Sequence, residues 1–155
     1  MLESYRRHAE ERAALGIPPL PLNAEQTADL CELLKSPPDG EAGFLMDLLC
    51  DRVPPGVDQA SYVKASFLTA IAKGEATSPL VSPLRAVQLL GTMLGGYNVQ
   101  SLVDLLKVDD VELAQAATDA LKKTLLVYDA FNDVIALSKS SDKGSDYAQQ
   151  VVDAW

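Results

Sequence analysis

Histidine appears once in this sequence of 155 residues, cysteine twice, and basic side chains number 13 against 22 acidic ones. Each shortage removes a class of function. Nucleophilic catalysis by serine or cysteine needs a base beside the nucleophile, and the lone His8 lies among Arg6, Arg7, Glu10 and Glu11, where it reads as a solvated helix residue. No Gly-x-Ser-x-Gly elbow is present. Cys31 and Cys50, 19 residues apart, fall short of the ligand set of a zinc or iron–sulfur site and of a disulfide framework. Both neighbour leucines and read as small buried hydrophobes. A formal charge of −9 and a pI near 4.5 disfavour nucleic acid and anionic membranes, whose binders need a basic face. No apolar stretch reaches eight residues, too few to span a bilayer. With no signal-peptide pattern, the expected setting is cytoplasmic, with both thiols reduced.

What is present is helical periodicity almost throughout, with glycine and proline confined to the gaps. Leu2, Tyr5, Ala9 and Ala13 share one face of a first helix that stops at Gly16. Asn23 and Gln26 form a capping box for a second helix with Leu30, Leu33 and Leu34 inward. Phe44, Leu45, Leu48 and Leu49 mark a third, and Asp58 caps a fourth carrying Val63, Phe67, Ala70 and Ile71 before a left-handed stop at Gly74. Ser82-Pro83 starts a fifth, whose stripe of Leu84, Val87, Leu90 and Met93 predicts a helix reaching Gly95-Gly96. Asn98 is placed to cap a sixth, and Asp109 with Glu112 a seventh. From Val111 to about Ser138 the pattern predicts one long helix or two nearly collinear ones. Strand signals are absent.

Seven or eight short helices with turns between them predict an all-α domain of antiparallel helix pairs. A HEAT-like short α-solenoid is the reading, with a globular helical bundle as the alternative. Tyr147, Val151 and Trp155 continue an apolar stripe on a helix starting near Ser145 that ends without a cap. Either Trp155 folds back onto this domain, or the helix heads toward a further domain.

Asp104, Asp109, Asp110 and Glu112 cluster, as do Asp47 and Asp51. Acids at helix starts are what the helix dipole favours, with a carboxylate pair for acid–base chemistry as the alternative. The segments Arg52 to Asp58 and Gly91 to Asn98 combine rigid or left-handed backbone with contact-making side chains. They read either as interhelical punctuation or as a shaped rim for a partner, with Tyr62 and Tyr97 as amphipathic contacts.

Those segments, with Tyr62-Val63-Lys64-Ala65, Ala70 to Ala76, Ser78-Pro79-Leu80, Leu89 to Met93 and the opening Met1-Leu2-Glu3, Tyr5-Arg6 and Glu11 to Ala14, resemble the N-terminal region of bacterial aconitase B. That family is also called bifunctional aconitate hydratase 2 or 2-methylisocitrate dehydratase, and the likeness covers essentially the whole chain. It implies that residues 1–155 are a single HEAT-like domain at the start of a longer chain. It further implies a parent hydro-lyase of the tricarboxylic acid cycle, interconverting citrate and isocitrate through cis-aconitate on a 4Fe-4S cluster held by three cysteines of later domains. No catalytic, cofactor-binding or metal residue is carried onto this chain.

The implied role is non-catalytic: protein interaction and access to the active site. Expected partners are the catalytic aconitase domains of the same chain, and beyond them a homodimer or other metabolic enzymes. A stand-alone helical adaptor with no link to catalysis is the alternative. Because citrate is a trianion, a channel rim is expected to be neutral or basic, with Arg52, Lys64, Lys73 and Arg85 as its cations. The remaining candidate rim or interface residues are Pro54, Pro55, Gly56, Tyr62, Gly95, Gly96, Tyr97, Asn98 and Trp155.

Overall fold

A computed structural model describes residues 1–155 as nine α-helices without strands. They are α1 (Leu2–Ala14), α2 (Ala24–Lys35), α3 (Ala42–Asp47), α4 (Gln59–Ala72), α5 (Pro83–Leu90), α6 (Val99–Leu105), α7 (Val111–Lys122), α8 (Ala130–Ser138) and α9 (Ser145–Ala154). A π-helical turn, Leu48–Arg52, follows α3 directly.

Side-chain caps fix the starts of α2, α4, α5 and α7. The Asn23 side chain accepts from the Gln26 amide while the Gln26 side chain accepts from the Asn23 amide, completing the capping box. One Asp58 carboxylate oxygen accepts from the amides of Ala60 and Ser61, and Ser82 Oγ accepts from Arg85 ahead of Pro83. Gly16, Gly40, Gly74, Gly96 and Gly144 take positive φ.

The helices pair antiparallel and stack in two layers. α4, α6 and α8 form one layer, and α5, α7 and α9 the other, with α2 and α3 extending the stack beside α4. A contiguous leucine-rich core runs between the layers; Leu30, Leu34, Leu45, Leu68, Leu90, Leu102, Leu105 and Leu106 are inaccessible to solvent. Burying each such side chain contributes about 2 kcal/mol. At the N-terminus, Tyr5 Oη donates to Leu20 O (2.9 Å), and the Leu20 amide donates to His8 Nε2 (2.9 Å). His8, half-buried on the α1 surface, therefore also serves as an acceptor that ties down the proline-rich loop.

Three boundaries depart from the sequence expectation. α5 stops at Leu90, not near Gly95, because Gly91 packs against α7 so tightly that a Cβ there would lie 2.8 Å from that of Ala120. Asp110, not Asp109, caps α7; Asp109 is taken by an ion pair with Lys143. The span 111–138 is two helices broken at 123–129, although no glycine or proline marks the break. α7 lies in one layer on α9 and α8 in the other on α6, so no continuous helix can serve both.

Candidate interaction edge

Antiparallel stacking sends the α4 start, the α5–α6 loop, the α7–α8 loop and the α9 end to one edge of the layers. The first two candidate segments meet there. The Leu94 amide donates to Pro55 O (2.8 Å), Tyr97 Oη donates to Val57 O (2.9 Å), and Ser61 Oγ donates to Pro54 O. The rings of Tyr62 and Tyr97 stand edge-to-face with centroids 5.4 Å apart. Gly95 permits this closure, since a Cβ there would fall 1.9 Å from Gly56 O. Gly96, at φ +95°, lies under the Tyr128 ring, joining the α7–α8 loop to the pair. Trp155 closes the edge: its Nε1 donates to Leu121 O (3.0 Å) and its ring stacks on Phe131 with centroids 5.7 Å apart.

Nothing charged occurs in residues 53–57, 91–98 or 124–128. Leu125 is 94 % exposed and Leu94 66 %, with Val57, Tyr62, Leu126, Tyr128 and Phe131 also exposed. Two grooves meet at Leu125. One, of about 420 Å³, is lined by Met93, Leu94, Asn98, Thr124 and Leu126, with Lys123 at its border. The other, of about 310 Å³, is lined by Val127, Phe131 and Trp155, with Lys122 at its border. Contiguous apolar surface of this kind, rich in aromatics and bordered by Lys122 and Lys123, has the composition of the centre of a protein interface with a charged rim.

The opposite edge is its converse. There Lys73 pairs with Asp104 (2.9 Å) and Lys143 pairs with Asp109, and the loops at that edge also carry Asp110, Lys139 and Asp142. Burial alone would raise the Asp104 carboxyl, but hydrogen bonds from Lys73 and Gln100 outweigh it and hold the group below the ordinary carboxylate range. The Lys143 ammonium does the same for Asp109. These acids are engaged in ion pairs and helix caps.

The four expected rim cations are not brought together. Arg52 donates to Tyr5 Oη (3.2 Å) and to Pro19 O, strapping the 17–22 loop. Lys64 is only 3 % exposed and donates to Leu49 O in the π-helical turn (2.6 Å), so it is a buried cap and not a rim cation. Burial lowers its pKa, with nearby Cys50 and Asp51 acting the other way. Lys73 sits at the opposite edge in its ion pair, leaving Arg85 exposed on α5 near Gln88 and Cys50.

Asn98 also differs from its expected role. Its side chain does not cap α6; Nδ2 turns inward and donates to the carbonyls of Leu90 (2.7 Å) and Met93 (3.3 Å), closing the C-terminus of α5. The Leu90 carbonyl also accepts from the Met93 amide (3.2 Å), so Asn98 reinforces that end and satisfies Met93 O, where a buried acceptor without a donor would cost about 1–3 kcal/mol. Asn98 Oδ1 is itself buried without a donor. Sequence reasoning placed Leu94 within a candidate rim segment but missed Leu125, Leu126, Tyr128 and Phe131, which are exposed along the edge. The available signal was the run of charge-free loops in a highly charged chain.

The thiols do not assemble. Burial pushes the Cys31 thiol up to about 12, whereas Cys50 is half-buried beside Arg85. No three His, Cys, Asp or Glu side chains stand close enough to share an ion. The residues present do not fit an iron–sulfur cluster, which would need more thiolates than this chain holds. No helix is long and apolar enough to cross a membrane.

A family model described as "Aconitate B N-terminal domain" matches residues 4–155. Among curated relatives, aconitate hydratase B of Synechocystis sp. is 66 % identical over 155 residues, covering 100 % of this chain and 17 % of that protein. The Pseudomonas aeruginosa protein of the same name is 61 % identical over 155 residues, again 100 % and 17 %. The Helicobacter pylori one is 44 % identical over 154 residues, 99 % and 18 %. The chain thus spans under a fifth of the length of these relatives.

Proposed function

Because the chain belongs to the aconitase B N-terminal domain family, we propose that residues 1–155 are the non-catalytic interaction and access domain of a longer aconitate hydratase. The match of the family model to nearly every residue carries this reading. The parent enzyme interconverts citrate and isocitrate through cis-aconitate, with a 4Fe-4S cluster supplied by its later domains. Here the contribution is surface: a stacked-helix wall with one apolar edge for the catalytic body and one charged edge for solvent.

The access role we propose is steric. Arg52 and Lys64 are committed to internal carbonyls and Lys73 to Asp104, so they are not free to attract a trianion. With a net charge of −9, the wall repels citrate at long range and confines it to whatever opening the apolar contact leaves.

The test compares the complete product of the gene with a version lacking residues 1–155. Both should load a cluster, and only the complete one should show the native KM for citrate. Aconitate hydration by the isolated 155-residue chain would overturn the non-catalytic reading. No hydration by the complete product would overturn the aconitase reading and leave a stand-alone helical adaptor.

A further inference from the structure

Resting on that reading, we propose that the apolar edge is where the polypeptide following Trp155 in the longer chain folds back and docks, in cis. Leu125 and Leu126 enter the docked segment, and the groove lined by Met93, Leu94 and Asn98 receives an apolar side chain from it.

The exit point argues for this occupant. α9 delivers the chain to the apolar edge, not the charged one, and Trp155 lines a groove that shares Leu125 with its neighbour. The relatives carry more than four-fifths of their length outside the matched part, and the family is by description an N-terminal one. Residues continuing from Trp155 therefore begin beside Leu125. Tethering holds such a segment at an effective concentration on the order of millimolar, so a modest apolar contact closes in cis. A second copy lacks that advantage, and two bodies of charge −9 repel each other.

The amides of Leu125, Leu126, Val127 and Tyr128 have no acceptor within the chain, and Asn98 Oδ1 has no donor. A docked segment supplies backbone partners to the loop, and its arrival is readable there because amides without an acceptor exchange fast.

Hydrogen exchange on the 155-residue chain and on the complete product tests this directly. Amides 124–128 should exchange at least tenfold more slowly in the complete product, at a rate independent of protein concentration. Leu125→Asp with Leu126→Asp should restore fast exchange at the loop in the complete product. The same pair should leave exchange of α4–α7 in the 155-residue chain unchanged, since both side chains are exposed. Equal exchange in the two proteins overturns the proposal, and so does protection that appears only as concentration rises, which would assign the edge to a second copy. Aconitate hydration is measured separately on the same complete product. Its absence refutes the enzyme reading, whereas normal hydration with an unprotected loop refutes only the docking.

Discussion

Gly95 gives the sharpest test of how the edge is built. A methyl group at its Cα would lie 1.9 Å from Gly56 O, 2.3 Å from Gly56 C and 2.9 Å from Val57 N. All three obstacles are backbone, so no side-chain rotation relieves them. To reach even 3.0 Å from that oxygen the loops must part by about 1.1 Å. That movement stretches the Leu94–Pro55 bond from 2.8 Å and the Tyr97–Val57 bond from 2.9 Å beyond useful range. At about 1 kcal/mol per hydrogen bond and about 0.5–1.5 kcal/mol for the Tyr62–Tyr97 pair, Gly95→Ala should destabilise by about 3 kcal/mol. The corresponding fall in Tm is about 6–12 °C for a chain of this size.

Gly56→Ala is the internal control. A Cβ there meets nothing within 4 Å and its φ is not positive, so restricting the unfolded chain should stabilise by a few tenths to about 1 kcal/mol. The two substitutions touch the same contact from opposite sides and are expected to differ in sign. Urea unfolding followed by far-UV dichroism gives both values, and near-UV dichroism reports the tyrosine pair. A Gly95→Ala protein within 0.5 kcal/mol of wild type would refute the described closure of the two loops.

Asn98→Ala removes one of the two donors to Leu90 O and the side-chain donor to Met93 O, and should lower stability by about 1–3 kcal/mol in urea titrations; a change below about 0.5 kcal/mol would show that the amide does not hold that terminus. In the folded protein at pH 8, Cys50 should react with an alkylating reagent while Cys31, its thiol pushed up to about 12 by burial, stays unmodified until urea unfolds the chain. Lys64 is held below its ordinary pKa, so the unfolded state binds more protons between the folded and unfolded values. Stability from this site must rise with pH across that window, and wild type should gain on Lys64→Met as pH rises from the lowered folded value towards the unfolded value of about 10.4; a constant difference would refute a depressed Lys64. Asp104 and Asp109 are held low, so their contribution is present above the unfolded pKa of about 4 and is lost as pH falls through the folded values. Asp104→Asn should flatten the acid limb of the stability curve, and an unchanged limb would count against the Lys73 pairing.

Periodicity and caps made the helices legible one by one. Asn23 with Gln26, Asp58, and Ser82 with Pro83 bond within three residues, so their chemistry is complete in the local sequence. Where a partner lay far along the chain, the local reading chose wrongly. Asn98 suits a cap for α6, yet it serves the carbonyls of α5, and Asp109 is drawn away by Lys143, 34 residues distant. Lys64 looked like a surface cation because its partner, the Leu49 carbonyl, is freed only by the π-helical turn.

The sequence by itself determined an all-α chain, the caps that close within three residues, and its family, because these rest on residue types, short-range spacing and motifs read along the chain. Tertiary structure alone decided that α7 and α8 separate into different layers and that Leu94, Leu125, Tyr128, Phe131 and Trp155 share one edge. The physical reason is that an exposed apolar loop residue looks the same in sequence whether its neighbours are 5 Å or 30 Å away. Only antiparallel stacking, which sends alternate helix ends to the same side, turns scattered uncharged loops into one surface.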